Sequence, residues 1–334
     1  MRTLVITDLH LNCKVPGLLG AQQECVKRIV REERPDEVII MGDVFTHRKP
    51  SPSALIAFKK ILQFINYSCD TCIPVTVLRG NHDSENKSDD GITALSIFNY
   101  PGVNIITHSE LDHKNKRAYI PHYENEKTII EYLETVPTDY QIFGHFGYDG
   151  CLNSVGDADF ALGLSNFRSD TLLGHIHDYS KRRGGTKENP TSVVCLGTPY
   201  TTNYGEAFKE NFYAILEDGE IEYKKVTHGP RHLVYNADNI KSNLTTINDL
   251  EYFTFLRIIR GEDHSEIPLD DIKVAYVDIK YAPVFDEEQV SNYAPERDLF
   301  SINDVIIEDY VKQAITTLSV EKIMEGYRLL QDEN

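Results

Sequence analysis

The chain has 334 residues, room for one large domain and a smaller companion. It carries 52 acidic against 34 basic side chains, a formal net charge of −18, which argues against a protein that holds nucleic acid by its own bulk electrostatics. No run of about 18 apolar residues occurs, so no membrane-spanning helix is predicted. The N-terminus enters a strand-like run at once, with no basic segment leading into an apolar one, so a cytoplasmic protein is expected. Six cysteines are scattered along the chain, and Cys69-Asp70-Thr71-Cys72 is a lone CxxC without a second pair, read as a reduced loop rather than a zinc or redox site.

Taken in order, Thr3-Leu4-Val5-Ile6-Thr7 reads as a buried strand that ends in Asp8-Leu9-His10. Leu18 to Glu32 reads as a helix, with Cys25, Val26, Ile29 and Val30 spaced for one face, and Pro35 closes the connection. Glu37 to Met41 is the next strand and ends in Gly42-Asp43. Strand, helix and strand in succession imply parallel pairing in an α/β sheet. Ser51-Pro52-Ser53 starts a second helix, a Ser cap followed by Pro in the first turn. Its stripe of Leu55, Phe58, Ile61, Leu62 and Ile65 fits core packing or a subunit interface. Pro74 to Leu78 is a strand that ends in Gly80-Asn81-His82-Asp83, and Asp90 to Tyr100 reads as a short helix.

Strand-like runs follow at Val103–Ile106 and Arg117–Ile120, and Asn125 to Thr135 reads as a helix. Strands at 140–143 and 171–174 deliver His145, His175 and His177, with Cys151 to Ser169 between them as a long surface loop. Val193 to Leu196 is a further strand, and Asp218-Gly219 marks a hairpin between Phe212–Leu216 and Ile221–Val226. A boundary is expected near Gly229-Pro230. Residues 231–283 then hold strands at Phe253–Ile259 and Val274–Tyr281, with a helical piece at Asn248–Tyr252. Pro283 to Pro295 reads as an acidic linker. Ser301 to Leu330 reads as two amphipathic helices that either fold back or dock on a partner.

Five strand ends thus carry Asp8, His10, Asp43, Asn81, His82, Asp83, His145, His175 and His177. Mixed carboxylate, amide and imidazole donors suit borderline divalent ions such as Mn²⁺, Fe²⁺ or Zn²⁺. The set exceeds one ion's shell and suits two ions sharing a bridging carboxylate, for which Asp43 is the natural choice. Two divalent ions against the two ligand carboxylates Asp8 and Asp43 leave a positive surplus that suits a phosphate anion. The expected chemistry is in-line phosphoester hydrolysis, with His82 as proton donor to the leaving oxygen and Asp83 orienting its ring. His47, His108, His113, His122, His228, His232 and His264 are read as structural.

The ordered set DxH, GD, GNHD, GH and GHxH over residues 1–200 resembles the calcineurin-like metallophosphoesterases. Gly42-Asp43-Val44-Phe45 with Arg48-Lys49-Pro50-Ser51 is similar to the GDLF…RPS stretch of SbcD/Mre-eleven type DNA repair nucleases. Gly174-His175-Ile176-His177 with Leu196-Gly197-Thr198-Pro199-Tyr200 is similar to their GHxH…GSP segment. The likeness is strongest to the short bacteriophage recombination endonuclease subunits. The resemblance implies a two-sheet α/β sandwich flanked by helices (1–228), a small α+β capping domain (229–283), a linker (284–300) and a C-terminal helical tail (301–334). It implies one ion on Asp8, His10, Asp43 and His177, the other on Asp43, Asn81, His145 and His175, with His82 catalytic and Asp83 steadying it. Mn²⁺ is the implied metal, with Mg²⁺, Fe²⁺ and Zn²⁺ as alternatives. The implied activity is exonuclease on DNA duplex ends and endonuclease on single strands or hairpins. The implied partners are DNA, an SbcC/Rad-fifty-like coiled-coil ABC ATPase at residues 301–330, and a second copy through helices 52–66 and 90–100. Thr46 departs from the family, which commonly has His or Asp there, and this bears on the balance of exonuclease to endonuclease activity. A small-molecule or protein phosphoesterase with the same dinuclear site is the alternative.

Overall fold

Two apolar sheets stacked face to face form the centre of the molecule, in a computed structural model that describes residues 1–67, 72–151, 162–261 and 267–281. The first half runs β1 (Thr3–Ile6), α1 (Leu18–Glu33), β2 (Glu37–Ile40), α2 (Pro52–Tyr67), β3 (Val75–Leu78), β4 (Val103–Ile106), β5 (Glu110–Asp112), β6 (Arg117–Ile120), α3 (Glu126–Thr135) and β7 (Gln141–His145). The second half runs β8 (Thr171–Gly174), β9 (Ser180–Gly185), β10 (Pro190–Cys195), β11 (Phe212–Glu217), β12 (Glu220–Lys225), β13 (Gly229–Asn236), α4 (Ile240–Ile247), β14 (Tyr252–Arg260) and β15 (Tyr276–Tyr281). The first sheet has the order β12-β11-β1-β2-β3-β4 and the second β5-β6-β7-β8-β10-β9, each parallel at its centre and antiparallel towards one or both edges.

The layers follow from which residues face where. Val5, Ile39, Met41 and Leu78 of the first sheet meet Tyr119, Phe143, Leu172 and Val194 of the second, a dry seam between the sheets. Alternate residues of the first sheet, among them Leu4, Ile6, Val38 and Val77, pack under α1 and α2. Ile142 and Leu173 of the second pack under α3 with Ile129 and Leu133. The α1 helix buries the predicted face of Cys25, Val26, Ile29 and Val30, and it ends at Arg34, left-handed at φ 46°, just before Pro35. The Ser51 cap forms as the sequence indicates, its Oγ accepting from Ala54 N at 3.2 Å. Phe58, Ile61, Leu62 and Ile65 are fully buried, so most of the α2 stripe is core.

Several local readings change. Residues 90–100 are not a regular helix: only a short 3₁₀ turn forms at Ala94–Phe98, closed by the Thr93 hydroxyl. The helix expected at 248–252 lies earlier, at Ile240–Ile247, where Ile240 and Ile247 are the buried anchors. Three strands went unpredicted: β5 and β9, which are mostly polar edge strands, and β13. The linker at 284–300 and the helices at 301–330 lie outside the described residues, as does His264.

β13, β14 and β15 form a third, wholly parallel sheet within the same compact unit, which ends at Ala282. It rests against α1: Cys25 Sγ donates to His228 O at 3.6 Å, and Arg28 pairs with Glu251. At the joint, His232 of β13 stacks on Phe255 with ring centroids 4.6 Å apart. The Thr201 hydroxyl accepts from His232 N at 2.6 Å and lies 3.0 Å from Nδ1, so its own proton goes to that nitrogen and the ring is held neutral. Burial pulls His232 down to about 4, against Glu206 and with Arg257. In the unfolded chain it titrates near the usual 6.5, so between those values the unfolded state binds the extra proton and stability falls on acidification. Acidifying from pH 6.5 to 5 is expected to cost about 2 kcal/mol through this residue. The check is the thermal midpoint of wild type and His232→Gln at both pH values. The variant should lose less on acidification, and equal losses would remove the assignment.

Candidate metal centre

All nine predicted residues follow the carboxyl ends of β1, β2, β3, β7 and β8 or close those strands, so both sheets deliver to one end of the seam. The strand exits are sharp. Asp8, His10, Asp43 and His175 all have positive φ, at 53°, 42°, 46° and 77°. Such backbone costs a non-glycine residue on the order of 1–3 kcal/mol, and concentrates where function over-determines it. Glycines allow the close approach of the loops. A Cβ on Gly80 would sit 2.1 Å from Asp43 Oδ1, and one on Gly174 would sit 2.2 Å from Thr7 Oγ1.

Two donor clusters result. Asp8, His10 and His177 form one, with His10 Nε2 and His177 Nε2 3.0 Å apart. Asp43, His145 and His175 form the other. Asp43 faces both, its Oδ1 3.4 Å from His145 Nε2 and its Oδ2 3.7 Å from His10 Nε2. Asn81 turns its amide oxygen to His145 Nε2 and His175 Nδ1, 3.1 Å from each, and that atom also faces both Asp43 oxygens at 3.1 and 3.2 Å. An oxygen surrounded by acceptors is unfavourable by itself; the amide nitrogen would serve better there unless a cation sits among them. The donor chemistry therefore fits divalent ions.

Neighbouring groups fix the imidazole tautomers. His145 Nδ1 lies 2.6 Å from Met41 O, and His177 Nδ1 lies 2.6 Å from Glu206 Oε1, which leaves Nε2 of each ring facing the cluster. His82 Nδ1 donates to Thr46 O at 2.8 Å, so Nε2 is its exchangeable position. This corrects the expected contact of Asp83, which does not reach the His82 ring. Its carboxylate accepts from Gly80 N at 3.0 Å and from Val44 N and Phe45 N at 3.2 Å, and so ties the second and third strand-end loops together. Thr46, the departure from the family pattern, has its hydroxyl on His10 O at 2.8 Å.

The electrostatics divide the acids and bases. Burial opposes ionisation of Asp43, but His145 and His10 hold its carboxyl well below the usual carboxylate range. Burial and then the Asp43 charge push Asp83 up to about 7. Burial lowers His145 as well, yet Asp43 outweighs it and lifts the ring to about 9. At His10 burial wins and the ring falls to about 4.

Two site contributors were missed in the sequence. Glu206 is buried and braces His177, held in turn by Thr202 and Asn203. Gln22 of α1 donates to His10 O at 3.0 Å. His122, read as structural, has its ring centroid 5.7 Å from that of His175, and burial lowers it to about 3. Tyr200 of the Gly197-Thr198-Pro199-Tyr200 segment donates its hydroxyl to Leu9 O, locking the first strand-end loop from behind. The centre opens on a cleft of about 290 Å³ rimmed by His82, His177, Thr202 and His232.

A family model for calcineurin-like phosphoesterases matches residues 1–271. The chain belongs to this family. Among curated proteins, this phosphoesterase is 22% identical over 214 residues to the SbcD subunit of nuclease SbcCD from Staphylococcus saprophyticus, covering 53% of this chain and 56% of that one. It is 20% identical over 364 aligned residues to the same subunit from Staphylococcus epidermidis, covering 93% of each. The match thus spans little more than half the length of the first relative and nearly all of the second. Solved structures similar to it include Pseudomonas putida nuclease MPE, at 12% identity and TM-score 0.32 over 66% of this chain and 87% of that one. A dimetal phosphatase from Danio rerio is similar at 12% identity and TM-score 0.41, over 67% and 95%. Phosphoester hydrolysis at a metal centre is the activity of the family, and the described residues of this member carry two candidate clusters for it. None of its described helices is long and apolar enough to cross a membrane.

Proposed function

We propose that this phosphoesterase is a two-metal DNA nuclease, exonucleolytic on duplex ends and endonucleolytic on single strands or hairpins, which acts in recombination or repair with a coiled-coil ABC ATPase. The observation that carries the two-metal part is Asp43, one oxygen turned to each donor cluster. Asp8, His10, Asp43 and His177 would hold one ion and Asp43, Asn81, His145 and His175 the other, with Mn²⁺ the metal of choice. Bound there, two divalent cations supply Lewis acidity for a phosphoryl oxygen and lower the pKa of a water. His82 gives a proton from Nε2 to the leaving oxygen, its ring held by the Thr46 carbonyl. Asp83 acts one step back, keeping the Asp43 and His82 loops in register.

The DNA reading draws support from the two relatives named as nuclease subunits. In this reading residues 1–228 are the nuclease domain, 229–283 cap it and contact DNA, and 301–334, beyond the linker, dock on the ATPase in the cytoplasm. A homodimer through α2 and residues 90–100 fits the exposed Ile56, Ile92 and Ile97. A small-molecule or protein phosphoesterase is the second reading, favoured by the net charge of −18. The deciding experiment is Mn²⁺-dependent cleavage of an end-labelled DNA hairpin, beside a cyclic nucleotide, with and without the ATPase. Hydrolysis of the cyclic nucleotide alone would overturn the nuclease reading.

A further inference from the structure

The segment Thr201 to Glu206 lies between two bodies of the fold. On one side Glu206 carries the hydrogen bond to His177 Nδ1. On the other the segment is gripped by the capping sheet. Arg257 of β14 lies 3.9 Å above the ring of Tyr204, and His232 of β13 meets the same ring edge-on at 4.9 Å. Arg257 is itself set by Asp278 of β15, with Nη2 2.7 Å from its carboxylate. The Tyr204 hydroxyl is buried without a hydrogen-bond partner, so ring contacts from the capping sheet are what hold this side chain. Between Tyr204 and Glu206 there is only one residue. The two ends belong to a single 3₁₀ turn, capped by Asn203 Oδ1 on Gly205 N at 2.8 Å and closed by Glu206 N on Asn203 O at 3.2 Å. These two bonds tie Tyr204 and Glu206 into one turn across Gly205.

We propose that the Tyr204–Glu206 turn is a positioning relay, by which the capping sheet sets the orientation of His177 and with it the metal affinity of the Asp8, His10 and His177 cluster. The inference rests on the two-metal reading above. Glu206 touches neither substrate nor ion; it fixes the ring that does, a role in which carboxylate loss typically costs 10–100-fold in metal affinity. Arg257 and His232 act one step further out. A partner or substrate that shifts the capping sheet then alters one metal subsite and leaves the Asn81, His145 and His175 side untouched.

The test is Mn²⁺ titration of the full chain by calorimetry, a readout independent of turnover. Wild type should bind two ions. Glu206→Ala should weaken one of them about 10–100-fold and leave the other unchanged. Glu206→Gln, whose amide oxygen still accepts from Nδ1, should restore most of the loss. Tyr204→Leu and Arg257→Met should weaken the same ion by a smaller factor, with unchanged circular dichroism. Two wild-type sites in a folded Glu206→Ala would overturn the inference and leave the two-metal reading standing. Weakening by Glu206→Ala with both cap-side variants at wild-type affinity would overturn the relay. Should Glu206→Ala not fold, Arg257→Met, placed outside the cleft, decides alone. Wild type that binds no Mn²⁺ would sink the two-metal reading and the relay with it.

Discussion

His82→Ala is expected to slow phosphodiester hydrolysis about 10²–10⁴-fold, the usual contribution of a positioned general acid, with both ions still bound. The separation of the two effects follows from how His82 is attached. Its backbone N–H, not its ring, donates to Asp43 Oδ1 at 2.8 Å, and an alanine keeps that bond. Its ring belongs to neither donor cluster: it is anchored on the Thr46 carbonyl and meets the His10 ring edge-on, with centroids 5.2 Å apart. Rates should therefore fall at saturating substrate while Mn²⁺ stoichiometry is unchanged. An ion lost together with the activity would make His82 a ligand.

Asp43→Asn is expected to have the larger effect. Asparagine tolerates the left-handed backbone at φ 46° and keeps an oxygen for His82 N, so the loop should survive. What is lost is the charge that faces both clusters and outweighs burial at His145. At least one of two ions should dissociate at concentrations that saturate wild type, and hydrolysis should drop below the level of His82→Ala. Two ions bound with native affinity would remove the bridging role.

Much of this centre is legible in the sequence because each apolar strand run stops abruptly at polar donors. Asp8, Asp43, Asn81 and His145 can be placed by that change alone, and the structure gathers them. What periodicity cannot supply is the partner of a side chain. Asp83 follows His82 in the chain, yet the two diverge in the turn, and the carboxylate serves backbone amides 38 and 39 residues away. Glu206 lies in a polar Thr-Thr-Asn segment with no period, and only the proximity of His177, 29 residues earlier, gives it meaning. Polarity concealed β9, whose Ser180 to Gly185 run reads as a loop but pairs residue for residue with the whole of β10. The parallel part of the first sheet follows from alternating strands and helices, whereas the second sheet came only from the family likeness. Its order depends on long connections that leave no local trace.

The place of β1 has a consequence for biosynthesis. It is made before both of its partners, yet it sits inside its sheet: Val5 pairs with Ile39 on one side and with Ala214 on the other. At about 5–20 residues per second, more than 200 residues of delay amount to about 10–40 s during which one edge of β1 is unpaired. Asp8 waits nearly as long for His175, 167 residues later. The two candidate donor clusters therefore cannot be complete before His177 has been made. A nascent chain stalled before β11 carries all nine site residues yet presents an open apolar edge on β1, and that is the form that chaperones and proteases meet.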